Sequence, residues 1–309
     1  TKDLKKAEKT IKKQISLNQK DLSLQLQLAS FYELNDEASK SKKVYNEVID
    51  QAAKNPTSTT EVFRILLKEN KTDLAKDMLV KASKLMPEYP FQLLYAELYG
   101  ALGDNKKLIE SYLDLLDKYP EYQEAVQLSL SARFDFAENA SDLALVKTAF
   151  LEKIQKPNSH LVFNEMLIWL FLQSKNFNAA FIQVVALDKQ VQSMGGRVLD
   201  LGKICVENES FEMARKCFQY VINLGIEPPY YYEAESALLN TRYIELTQYR
   251  VYSNEELETT LKEYKTVIDR VANPRKSINA VLEYTKIMAF YAGKKAQAIE
   301  ILEQYTNTP

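Results

Sequence analysis

Apolar and polar positions alternate along this chain with the period of a helix, and that helical pattern itself recurs. A small or modest residue opens an apolar stripe at Ala7, Ser41, Ala75, Leu108, Leu145, Ala180, Ala214, Thr260 and Ala298, at successive gaps of 34, 34, 33, 37, 35, 34, 46 and 38 residues. Four residues after each opener stand Ile11, Tyr45, Leu79, Tyr112, Ala149, Val184, Phe218, Tyr264 and Leu302, all bulky except Ala149. A spacing of four places both members of each couple on one helical face. Pro87, Pro120 and Pro157 each fall twelve residues after an opener, where a helix must stop.

A second series precedes the first. Leu28-Ala29 with Tyr32, Tyr95-Ala96 with Tyr99, and Leu201-Gly202 with Cys205 lie about twelve residues upstream of an opener. Small residues on both helices let two antiparallel helices cross closely. Polar or glycine breaks separate the two series: Leu34-Asn35-Asp36, Glu69-Asn70-Lys71, Gly103-Asp104-Asn105, Lys175-Asn176-Phe177, Asn208-Glu209-Ser210-Phe211 and Gly293-Lys294-Lys295. The pattern predicts an all-α stack of antiparallel helix pairs, with nine second helices, eight first helices and half of the first pair missing. It spans 1–309 as a single array, with an irregular repeat at 122–160 and an extended one at 229–275. The extension inserts about a dozen residues between Thr241 and Asn254, which either alters the curvature of the stack or forms a partner-specific lobe.

Composition agrees. Seven glycines and nine prolines in 309 residues are too few for a hairpin-rich or glycine-loop fold. Forty basic against forty-two acidic residues leave a net charge of -2, which points to neither nucleic acid nor an anionic membrane as partner. The lysines of the first helix surround it rather than forming a stripe. The longest apolar stretch, Met166 to Leu172, is too short to span a bilayer. Neither end shows a polar capping helix and the chain opens on Thr1, so a piece of a longer array, with further repeats beyond it, is expected.

The segment from Leu94 to Pro120 (LYAELYGALGDNKKLIESYLDLLDKYP) resembles a tetratricopeptide repeat, and that from Leu199 to Gly225 (LDLGKICVENESFEMARKCFQYVINLG) resembles one more closely. The first-helix tryptophan typical of the family is absent from its usual place. Asn164 to Ile222 is also similar to long envelope-associated tetratricopeptide proteins of Gram-negative bacteria. The resemblance implies a right-handed α-solenoid whose first helices line a concave groove. It also implies a bacterial periplasmic or envelope location, with the cytoplasm as the alternative.

Candidate chemistry is sparse. His160, the single histidine, sits just before a first helix and reads as a surface residue there, so a triad or zinc site has no centre. Cys205 and Cys217 fall on the two helices of one pair, as small buried thiols or else as a couple near enough to oxidise. Glu207 with Glu209, and Glu255-Glu256 with Glu258, lie at helix ends where carboxylates suit the dipole. Met194-Gly195-Gly196-Arg197 lacks a phosphate-loop context and reads as a linker. No catalytic residue, cofactor or metal is expected, and the chain is read as a non-enzyme.

The surface carries more. In the family's register the groove positions are Leu26, Ser30 and Glu33; Thr60 and Arg64; Leu93 and Glu97; Glu165, Trp169 and Gln173; and Leu199, Lys203 and Glu207. Aromatic anchors among charges suit a protein or peptide partner. Trp169 either lines that groove or packs into the core. Pro228-Pro229-Tyr230-Tyr231-Tyr232 either starts a helix whose tyrosines pack inward or exposes an aromatic patch for a glycan or other ligand of a cell-envelope assembly.

Overall fold

The computed structural model describes residues 2–227, 229–249, 252–270 and 274–306, and forms two compact units, 1–166 and 167–309. Among the described residues the elements are helical throughout. They run α1 (Lys2–Leu17), α2 (Leu22–Leu34), α3 (Ala38–Ala52), α4 (Pro56–Lys68), α5 (Thr72–Leu85), α6 (Gln92–Ala101) and α7 (Asn105–Lys118). Next come α8 (Gln123–Arg133), α9 (Ala140–Ile154), α10 (Leu161–Gln173), α11 (Phe177–Val191), α12 (Gly196–Glu207) and α13 (Phe211–Asn223). The last are α14 (Tyr231–Ile244), α15 (Asn254–Arg270), α16 (Pro274–Phe290) and α17 (Lys295–Thr306). A 3₁₀ turn, Pro120–Tyr122, precedes α8, and a π turn, Glu245–Tyr249, extends α14.

Even-numbered helices are the first members of pairs and odd-numbered ones the second. In the first unit α2 packs on α3, α4 on α5 and α6 on α7; in the second, α12 packs on α13, α14 on α15 and α16 on α17. Each unit is thus a stack of antiparallel helix pairs. The openers Ser41, Ala75, Leu108, Ala180, Ala214, Thr260 and Ala298 are buried, as are Tyr45, Leu79, Tyr112, Val184, Phe218 and Tyr264 beyond them.

The fourth pair of the first unit departs from the expected register. Leu145, read as an opener, is 37% exposed, and Ala149 is only half-buried, whereas Val146 and Phe150 are at 0% and 1%. The stripe of α9 has slid by one residue.

Turn chemistry explains the tight pairs. Six within-pair turns hold a residue in the left-handed region: Asp36 (φ 59°), Asn70 (59°), Gly103 (73°), Lys175 (52°), Glu209 (58°) and Gly293 (66°). In five of them an amide bonds back across the turn: Glu37 to the Tyr32 carbonyl, Lys71 to Leu66, Asp104 to Tyr99, Asn176 to Phe171 and Ser210 to Cys205, at 2.8–2.9 Å. This six-to-one bond after a left-handed residue closes a helix C-terminus and turns the chain back at once. Side-chain oxygens of Asp21, Asn55, Asp104, Asn139 and Asn176 then accept first-turn amides of the helices that follow.

The α8–α9 link is different. Its six residues, 134–139, include no left-handed residue, and Asp135 Oδ1 accepts the amides of Ala137 and Glu138. Phe134 and Phe136 turn inward, each 5% exposed, with their rings stacked at 6.0 Å. The two helices do not pack closely on each other, and α9 packs on α7 instead.

Candidate protein-binding surfaces

Of the residues assigned to the groove, Glu33, Arg64 and Glu97 in the first unit and Gln173, Lys203 and Glu207 in the second are exposed. Glu165 and Trp169 are half-buried, as are Ser30, Thr60 and Leu93. Leu26 and Leu199 are corrected: each is 1% exposed, covered by the neighbouring helices, and belongs to the core.

Several outward side chains join successive first helices. Arg64 of α4 reaches Glu97 of α6 at 3.8 Å, with 66% and 46% of the side chains exposed. Lys203 of α12 reaches Glu233 of α14 at 2.8 Å and Asp200 at 3.6 Å. The hydrogen bond to Glu233 holds the Lys203 ammonium above its usual range. Such exposed pairs add little stability, typically about 0–1 kcal/mol, and can exchange partners readily.

Glu33 is more constrained than the sequence indicates. Its carboxylate accepts from Lys71 Nζ at 2.5 Å and from the Tyr45 hydroxyl at 3.4 Å, while Lys71 lies over the Tyr45 ring at 5.1 Å. Ser30 Oγ is 2.9 Å from the same hydroxyl and donates to Glu69 Oε2 at 3.2 Å. Burial pushes the Tyr45 phenol up. A polar recess of about 660 Å³ opens beside this cluster, lined in part by Asp36, Asp73 and Asp77. Sequence reasoning missed Tyr45 and Lys71 here; the signal was a charged turn residue 38 positions after Glu33, one repeat on.

The tyrosine cluster divides. Pro228 lies outside the described residues. Tyr230 packs over Gly196, where a β-carbon would stand 2.8 Å from the ring, so this residue is structural. Tyr231 and Tyr232 meet edge to face at 5.3 Å, and the Arg270 guanidinium lies 5.5 and 5.6 Å from their ring centres. Arg270 also donates to the Tyr231 hydroxyl at 3.2 Å and pairs with Glu235. Tyr232 remains 58% exposed. Arg270 was not anticipated because it enters from α15.

His160 is exposed at the start of α10. Cys205 and Cys217 are free thiols at 0% exposure, and burial against Cys205 pushes the Cys217 thiol up. Glu256 accepts the Ser253 amide at 2.7 Å while its own amide bonds Ser253 Oγ at 3.1 Å, a reciprocal cap for α15. Backbone and hydroxyl bonds from Ser253 hold the Glu256 carboxyl below its usual range. Gly195 is left-handed (φ 91°), and its amide is fixed by buried Asp188 at 3.0 Å.

The two segments that resemble tetratricopeptide repeats fold as antiparallel helix pairs, α6 with α7 and α12 with α13. No protein-family profile matches the sequence, and no curated protein does. Solved structures similar to it include one of Naa15/Naa10 bound to HypK-THB, with 14% identity and a TM-score of 0.38, covering 93% of this chain and 42% of that one. Others are the C-terminal part of a TPR repeat-containing protein from Cytophaga hutchinsonii (12%, 0.34, 82% and 98%) and yeast Tom70 (16%, 0.31, 85% and 62%). The chain therefore spans less than half the length of the first. No helix among the described residues is long and apolar enough to cross a membrane.

Proposed function

We propose that the chain is a non-catalytic protein-interaction scaffold whose first helices bind a peptide or helical partner. On this reading the two units are parts of one array. The observation that carries it is the exposed, charge-bearing row on successive first helices, with Arg64 and Glu97 in one unit and Lys203, Glu233 and Glu207 in the other. Weakly paired charges of this kind are ready to be recruited by a partner, because exposed ion pairs give up little when exchanged. Half-buried Trp169 adds a large ring to the first-helix residues. The similarity to envelope proteins supports a periplasmic or envelope-associated location, and no role in nucleic-acid binding is proposed.

The test is an affinity pull-down from host envelope and soluble fractions with the wild-type chain and with Arg64→Glu, Lys203→Glu and Trp169→Ala variants whose melting matches the wild type. Proteins recovered by the wild type and lost with the variants support the reading and identify the compartment. Equal recovery by all of them refutes it.

A second reading has its own observation. Tyr232, exposed and set perpendicular to Tyr231 beneath Arg270, offers an apolar ring face with a hydrogen-bond donor beside it, a surface suited to a glycan ring. Tyr232→Ala is the variant that addresses it, since Tyr231 is held by Arg270. Loss of binding to envelope glycan fractions with Tyr232→Ala, but not with Lys203→Glu, would favour this reading over the first.

A further inference from the structure

The slide of α9 has a consequence on a face of the first unit lined by second helices. Because Val146 and Phe150 occupy the core, Leu145 faces out, and a groove of about 470 Å³ opens between α7 and α9. Its floor is Ile109 and Leu113 of α7, and its second wall is formed by Ala144, Leu145, Thr148 and Ala149 of α9. From Ser141 to Glu152 that wall runs twelve residues, about 16 Å over its eleven steps of 1.5 Å. Its residues recur at spacings of three and four, and small side chains leave room between the two ridges. This is the shape that accepts another helix, ridge into groove.

The rim is charged asymmetrically. Lys106 stands at the end where both helices begin. Toward the other end stand Glu110 and Glu152, and neither forms an ion pair with any described residue. Beyond them Lys153 bridges Asp114 at 3.5 Å and Asp117 at 2.8 Å, so the four carboxylates Glu110, Asp114, Asp117 and Glu152 stand against this one bridging ammonium. α9 ends at Ile154, so the partial negative charge of its last turn adds to the same end. An occupant therefore gains from positive charge there.

We propose that the α7–α9 groove is a docking site for an amphipathic helix of a partner protein, one that carries bulky apolar residues along one stripe and Lys or Arg toward one end. The apolar stripe fills the space over Ile109, Leu113 and Ala144, and the basic residues meet Glu110 and Glu152. This reading is independent of the first-helix surface.

The probe is a phage-displayed library of helices of about 18 residues, roughly 27 Å long. A Leu/Phe/Met stripe is fixed at i, i+3, i+4 and i+7, and the flanks are randomised among Lys, Arg, Asp and Glu. Basic-flanked peptides should be enriched. The synthetic winner should bind about tenfold more weakly to Ala144→Arg, which fills the groove from an exposed position, and several-fold more weakly to the Glu110→Gln, Glu152→Gln double variant. Its affinity should fall with added salt and be unchanged by Arg64→Glu or Lys203→Glu. Thermal melting of each variant confirms that its fold is intact. Enrichment of acidic-flanked peptides, a winner indifferent to Ala144→Arg, or no binder at all would overturn the proposal.

Discussion

The pairs α12–α13 and α8–α9 are built from the same ingredients, and they differ in how closely the helices approach. In α12–α13 a left-handed residue, Glu209, reverses the chain within three residues, and Ser210 bonds back to the Cys205 carbonyl at 2.8 Å. Gly202 then lies against the Phe218 ring, so that a β-carbon on it would stand 2.4 Å from the nearest ring atom. In α8–α9 the link is six residues long, it buries two phenylalanines stacked on each other, and α9 takes a register one residue away from the expected one. The comparison teaches that a short left-handed turn and a small crossing residue together hold a pair shut. Where the link is longer and holds no left-handed residue, the helices stand apart and an apolar groove opens between α9 and α7.

The strongest way to break this comparison is to remove a wedge. Phe134 is 5% exposed and its ring is stacked on Phe136. Phe134→Ala should lower the unfolding free energy by about 3–4 kcal/mol, measured by chemical denaturation. A loss below about 1 kcal/mol would show that the rings are incidental to the open pair.

The closed pair responds to the opposite change. Gly202→Ala should destabilise by about 2–3 kcal/mol, because the methyl group must push the buried Phe218 ring aside. Adding Phe218→Leu should recover part of that loss, with the two substitutions coupled rather than additive. Additive losses would mean that the close approach is not what Gly202 provides.

Much of this was legible in the sequence, and the rest was not for identifiable reasons. The helical period and the six turn positions followed from opener spacing and from breaks such as Asn70, Gly103 and Gly293, whose types suit a left-handed backbone. Lys175 and Glu209 do not suit it by type, and only their place in the repeat pointed to them. The register of α9 was ambiguous because Leu145 with Ala149 and Val146 with Phe150 are both i, i+4 apolar couples. Tertiary packing decides between them, and it buries Val146 and Phe150. Leu26 and Leu199 were misplaced for a related reason, since a one-helix register does not show what the adjoining pair covers. Cross-repeat partners such as Lys71 for Glu33 and Arg270 for Tyr231 lie 38 and 39 residues away, among several charges that fit equally well.

A smaller effect sharpens the role of the turn. Glu209 holds φ at 58°, a conformation that costs a side-chain-bearing residue about 1–2 kcal/mol. Glu209→Gly should therefore raise stability, by about 0.5–1 kcal/mol after the loss of its interaction with the exposed Tyr249 hydroxyl. The same change has no counterpart in the α8–α9 link, which holds no left-handed residue to relieve. A higher denaturation midpoint with an unchanged slope would confirm a local origin, and a lower midpoint would show that the Glu209 side chain matters more than its backbone.

The smallest effect tests the register itself. If the stripe of α9 began at Leu145, replacing that residue by Ser would bury a hydroxyl in an apolar core and destabilise by several kcal/mol. With Leu145 37% exposed on the groove wall, Leu145→Ser should change stability by no more than about 0.5 kcal/mol. The equivalent change one residue on, Val146→Ser, removes a 0% exposed side chain and should cost about 2–3 kcal/mol. The pair of measurements reads the slide directly, because the two residues are adjacent on one helix and share its propensity and its ends. Equal losses at both positions would mean that α9 samples the two registers. The apolar groove beside α7 would then exist only while Val146 holds the core position.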